Sequence, residues 1–151
     1  MGGIDWNVVQ RVGEMLAGGT DGSAYRSSSD AAQAQSLAER FAARVSAYTG
    51  LRPPERLPAL ELIDRARWIE ANIATMRPLL DPLTKHLGSG NGPLAPAMRS
   101  FTQLLLGAQV GAITGILSQR VLGQYDISLL DAGRPPRLLL LGPNLEQAAR
   151  N

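Results

Sequence analysis

The side chains that could do chemistry are few. His86 is the only histidine and there is no cysteine. A transition-metal site usually needs about three or four protein ligands from His, Cys, Asp or Glu, so this chain is not expected to hold zinc by itself. His86 beside Lys85, near a helix end, reads as a surface residue that suits the negative end of a helix dipole. Serines are plentiful, but there is no GxSxG elbow to present one as a nucleophile. Neither a GxxxxGK[ST] phosphate loop nor a GxGxxG turn is present. Glu61 with Asp64, and Glu70 with Asp81, are carboxylate pairs at helical spacing, read as solvated helix positions rather than as an acid–base dyad. Trp68 could stack on Arg65, although a Trp beside an apolar helix face is ordinarily core. No catalytic, cofactor-binding or metal residue is assigned.

Composition bounds the rest. The 151 residues carry a net charge of +2, with 44% hydrophobic and 19% charged residues, as in an ordinary globular chain. Lys85 is the only lysine among fifteen basic residues, and the arginines are scattered among acidic ones. Nucleic-acid binding would need a basic stripe with aromatics nearby, so no nucleic-acid partner is expected. Zero cysteines suit a reducing compartment, and MGGIDWNVVQ is neither a signal peptide nor a myristoylation site, so a cytoplasmic location is expected.

The elements that would position any site come next. The pattern predicts a mainly α fold with a C-terminal β-hairpin, an α+β arrangement in one helical domain or partial domain over 1–151. Asp5 caps a helix from Trp6 to Ala17, and GGTDGSAYRSSS is a surface loop. Ser29 and Asp30 start a second helix to about Tyr48, with Leu37, Phe41, Val45 and Tyr48 along one face and Gly50 at its end. Pro53, Pro54 and Pro58 stiffen the next connection. Asp64 caps a third helix whose Ile69, Ile73 and Met76 share a face. Pro78 and Pro82 predict a break, followed by a short helix ending at Gly88. Pro93 or Pro96 opens the longest helix, near 96–122, which Gly123 ends. ISLL and RLLLLG, around DAGRPP, read as a hairpin near 127–141.

The longest helix poses its own question. Ser100 to Gln119 is free of charge, long enough to span a bilayer, and sets Gly107, Gly111 and Gly115 four apart. Gln103 and Gln109 lie well inside it, at a cost in hydrocarbon. The expectation is therefore no membrane span but a helix buried on most sides, with its glycines admitting a neighbour closely. RLLLLG, apolar on both faces, needs cover that a lone hairpin cannot supply. Leu138 to Leu141 is thus expected to carry an exposed edge, and NLEQAARN to begin another element that is cut short.

The order IDWNVVQRVG, AERFAARVSAYTGL, DRARWIEANI, LSQRVLGQYD and RLLLLGPNL resembles a family of actinobacterial zincin-like proteins. Its members are labelled zinc-dependent metalloprotease and deazaflavin-coenzyme-biosynthesis-associated protein. The resemblance covers nearly the whole chain and is most specific at Asp64 to Asn72 and Leu117 to Asp126. It implies a hydrolase whose HExxH helix follows the strand resembling RLLLLGPNL. In that motif two histidines one turn apart hold zinc and the glutamate activates its bound water. This sequence has no such motif, so the resemblance transfers no site residue to it. The expected role is the non-catalytic N-terminal portion of the zincin-like architecture, with zinc held only where the C-terminal part is present. The expected partner is that C-terminal polypeptide, or a second copy pairing through the hairpin near Leu138 to Leu141. The alternative is a stand-alone helical protein-interaction module.

Overall fold

A computed structural model describes residues 3–18, 28–52, 57–84, 93–127 and 133–150. The elements are α1 (Trp6–Leu16), α2 (Ser28–Thr49), β1 (Ala59–Ile63), α3 (Arg65–Thr84), α4 (Ala95–Ser118), β2 (Gly123–Asp126), β3 (Arg137–Leu141) and α5 (Gly142–Ala149). They fall into two compact units, each discontinuous in sequence: Met1–Thr20 with Arg65–Val121, and Asp21–Asp64 with Leu122–Asn151.

The first unit is built on α1. Asp5 caps it as expected, one carboxylate oxygen accepting from the backbone N–H of Asn7 at 3.1 Å and of Val8 at 3.2 Å. These two donors have no partner inside the helix, and the cap satisfies them. At the other end Arg65 Nη1 donates to the Ala17 carbonyl at 3.0 Å, placing a cation where the helix dipole is negative. Gly18 then turns the chain at φ +83°. Ile4, Trp6 and Val9 form the core, with Ile73, Met76 and Leu80 of α3 and Leu106 and Val110 of α4 packed against it. The Trp6 indole N–H donates to Asp81 Oδ1 at 2.8 Å, so its polar end is satisfied.

The four-residue glycine spacing on α4 meets a matching spacing on α1. A Cβ on Gly107, Gly111 or Gly115 would lie 2.6–2.7 Å from the carbonyl oxygen of Asp5, Val9 or Gly13 respectively. No real side chain approaches backbone that closely, so only glycine lets the two helices touch backbone to backbone. The helices run in the same direction. Asp5 N–H donates to the Gln103 carbonyl at 3.3 Å near one end, and the Gln119 side chain donates to the Leu16 carbonyl near the other.

Three expectations about these helices are corrected. α3 continues unbroken through Pro78 and Pro82. Both prolines are exposed, so the carbonyls left without a helical donor can turn to water. Gly88, the expected end of a further short helix, lies outside the described residues. α4 stops at Ser118, well before Gly123, which instead opens β2. Nor is α4 buried on most sides. It buries Gly107, Gly111, Thr114, Gly115 and Ser118, while Met98, Phe101, Leu104, Leu105, Ile113, Ile116 and Leu117 are exposed. Its most apolar 18-residue stretch has a mean hydropathy of 1.4, long and apolar enough to cross a membrane, yet only 22% of it is buried within the chain.

The second unit holds a three-stranded sheet in the order β1-β3-β2. β3 pairs parallel with β1, Glu61 opposite Leu139, and antiparallel with β2, Gln124 opposite Leu139. A C-terminal antiparallel pair is therefore present, but its first arm is Gly123–Asp126 and not ISLL. Ile127 follows the strand exposed, and residues 128–130 lie outside those described. The apolar run RLLLL is the central strand, hydrogen-bonded on both sides, which explains its composition. The expected free edge at Leu138 to Leu141 is thus absent, and Leu139 and Leu141 are buried. β1 has no counterpart among the expected elements, and Glu61 is a strand residue rather than a helical one. NLEQAARN does begin a further element, since α5 covers Gly142–Ala149.

α2 ends as predicted, Gly50 adopting φ +71° and donating to the Ser46 carbonyl at 2.9 Å. The half-buried side carries Ala31, Ala34, Ala38, Ala42 and Ser46, while Leu37, Phe41, Val45 and Tyr48 face outward. Small residues let the helix lie close to its neighbours, and the larger apolar stripe is left outside.

Candidate functional site

Several charged side chains among the described residues are engaged in ion pairs. On one face of the sheet, Arg137 of β3 stands between Asp126 of β2 and Glu61 of β1. Its Nη2 donates to Asp126 Oδ2 at 2.6 Å, and its Nη1 lies 3.2 Å and 3.3 Å from the two Glu61 oxygens. Arg134 Nη2 also donates to Asp126 Oδ2, at 2.8 Å. The Asp126 side chain is only 3% exposed, so it depends on these two guanidinium groups for the solvation it has lost. The hydrogen bond to Asp126 holds the Arg137 guanidinium above its ordinary pKa; burial opposes the shift, and the charge of Glu61 adds to it. Arginine donates and does not exchange protons near neutrality. The cluster ties three strands together and supplies neither a base nor a nucleophile.

The carboxylates singled out in the sequence do not converge. Glu61 is bound to Arg137. Glu70 pairs with Arg67 across one helical turn, and Asp81 receives Trp6 and lies 3.6 Å from Arg77 Nε. Trp68 is core, at 4% exposure. His86, with Lys85, lies outside the described residues. Among the described residues no group of three or more His, Cys, Asp or Glu side chains is placed to hold a metal ion. One histidine and no cysteine in the whole chain give a donor set that does not fit a zinc site of the HExxH kind.

What the described residues present instead is apolar surface. On α4 the exposed Met98, Phe101, Leu105, Ile113 and Ile116 occupy the side turned away from the glycine contact with α1. In the other unit, Leu37, Phe41, Val45 and Tyr48 of α2 are 42–93% exposed. Contiguous apolar patches of this kind mark surfaces that bind protein or lipid. The glycine spacing was legible in the sequence as a close contact. The α2 stripe is legible in the sequence as a face, and α4 is read there as buried on most sides, because periodicity shows which residues share a face and not what covers it.

Comparison with known proteins gives the family. No curated protein sequence matches the chain. A solved structure from Chloroflexus aurantiacus, described as a "putative hydrolase with a novel fold", is similar with a TM-score of 0.66 and 29% identity. The similarity covers 97% of this chain but 45% of that one, so this chain spans less than half the length of its structural relative. The sequence model of the zincin-like metallopeptidase family matches residues 4–151. From Ile4 to its last residue, therefore, this chain belongs to the zincin-like metallopeptidase family.

Proposed function

We propose that this chain is the non-catalytic N-terminal portion of a zincin-like metallopeptidase, a helical scaffold behind a zinc site that other residues supply. One observation carries the reading: a family member whose match runs along nearly its whole length corresponds to 45% of a related hydrolase and lacks a zinc donor set. In this reading the α1–α3–α4 unit and the small sheet provide rigid packing, and the HExxH helix belongs to the remaining part of the architecture. The zero cysteine count is consistent with a cytoplasmic setting. The alternative, a stand-alone helical interaction module, draws on the exposed apolar stripes of α2 and α4.

The test is metal content and activity of the 151-residue chain, purified without a histidine tag and dialysed. The expected result is far less than one zinc per chain and no chelator-sensitive hydrolysis of casein. Stoichiometric tight zinc, or hydrolysis abolished by a chelator and restored by zinc, would overturn the proposal.

A further inference from the structure

Resting on that reading, we infer that the far side of α4 is the docking surface for the remaining portion of the zincin-like fold. The surface is Met98, Phe101, Leu105, Ile113 and Ile116, each 46–60% exposed. α4 cannot hide these residues by rolling over, because its opposite side is fixed. A Cβ at Gly107, Gly111 or Gly115 would collide with the α1 backbone, so no other side of the helix can take that place. Nor does this side resemble one that meets water. Ser100 to Gln119 has no charged residue, whereas a solvated helix face normally carries them.

Three covers are conceivable for such a surface, and the observations favour one. Lipid is disfavoured by the companion helix. α1 runs along α4 and carries the charged Arg11 and Glu14, which are costly at membrane depth. Gln109, exposed between Leu105 and Ile113, would also lie in hydrocarbon. A protein surface can offer that amide a hydrogen bond while covering the apolar side chains beside it. A second copy is disfavoured by the architecture of the relative, in which more than half the chain lies outside the matched part. The occupant is therefore the polypeptide that completes the zincin-like fold, presenting an apolar face with a polar group opposite Gln109.

The absence of cysteine makes thiol labelling a clean readout. Phe101→Cys and Ile116→Cys report on the surface, and Gln10→Cys, exposed on α1, is the control. Each is placed in the 151-residue chain and in a chimera where this chain replaces the matched part of the Chloroflexus protein. Maleimide labelling is followed site by site by mass spectrometry. In the isolated chain all three thiols should label at similar rates. In the chimera the two α4 thiols should slow about tenfold or more against the control. Equal rates in both proteins would overturn the inference. So would protection in the isolated chain accompanied by a dimer mass, which assigns the surface to a second copy. Protection and co-flotation on addition of phosphatidylcholine–phosphatidylglycerol vesicles would assign it to lipid. Should the chimera fail to fold, thiols at the aligned positions of the full-length relative give the same readings. Zinc in the chimera is measured separately. Protection without zinc leaves the docking surface standing and removes the metallopeptidase reading, and zinc without protection does the reverse.

Discussion

At the scale of single residues, Gly111 decides whether the first unit forms. In a free helix alanine is better than glycine by about 1 kcal/mol. Here a Cβ would meet the Val9 carbonyl oxygen at 2.6 Å and Val12 Cβ at 3.0 Å. The collision outweighs the propensity, so Gly111→Ala should destabilise by about 1–3 kcal/mol, and Gly111→Leu by more. A urea denaturation series measures it, and an unchanged or raised midpoint for Gly111→Ala would show that the helices are farther apart. Arg137 gives the second case at this scale. Arg137→Met leaves Asp126, 3% exposed, with Arg134 as its remaining charged partner, and should cost about 2–3 kcal/mol. Because its folded-state pKa is raised, Arg137 contributes its stability below the unfolded arginine pKa and loses it only as pH rises through the folded value. The Arg137→Met deficit should therefore be constant between pH 6 and pH 8, and a deficit that changes across that window would contradict the assignment. The Asp5 cap and the glycine contact were both visible in the sequence, because each is set by residue type and local spacing. The role of Arg137 was not, since Glu61 is 76 positions away in the chain.

At the scale of elements, the corrections share a physical origin. β1 reads ALELI between proline-rich sequence and the start of α3, and its partner is a parallel strand far along the chain, so no local pattern announces it. β3 was legible as a doubly covered strand, but which strands covered it was not. Its central place makes charge there costly. Leu139 is 1% exposed, so Leu139→Lys should unfold the sheet, costing roughly 3–5 kcal/mol. Circular dichroism and the denaturation midpoint of the variant measure it, and an unchanged midpoint would show that Leu139 faces water. The prolines of α3 predict a break when read singly, and α3 tolerates them because both stand on its exposed side. Pro82→Ala restores a helical donor and should raise stability by about 1–2 kcal/mol, less than the full cost of a helical proline because the unfolded chain also gains freedom. A lowered midpoint would show that the ring itself is needed in place.

At the scale of the whole molecule, one long helix in each unit turns small residues inward and leaves a stripe of larger apolar ones exposed. α4 presents glycine to α1, and α2 turns its alanines inward. For α4 the sequence suggests burial on most sides, because in a self-sufficient domain the large apolar stripe is the one that is buried. A chain that forms part of a larger architecture can keep that stripe for an interface. The mainly α character, the C-terminal antiparallel pair and the family were all legible from the residues. The third strand and the outward direction of the stripes were not, because the strand pairs with chain distant in sequence and periodicity does not show what covers a face.

The sheet also sets an order in time. β1 emerges from the ribosome long before β3, and the strand that joins the two edges is the last of the three to be made. Until Arg137 to Leu141 is available, Ala59 to Ile63 has no ladder to enter, while α1, α3 and α4 can already assemble from sequence that is complete by Ser118. The helical unit is thus free to form first, and the sheet closes late over a long span of chain, the slow kind of contact in folding. During synthesis β1 must wait as an unpaired strand, and its single acidic residue, Glu61, is then the charge that guards it against pairing with a neighbouring nascent chain.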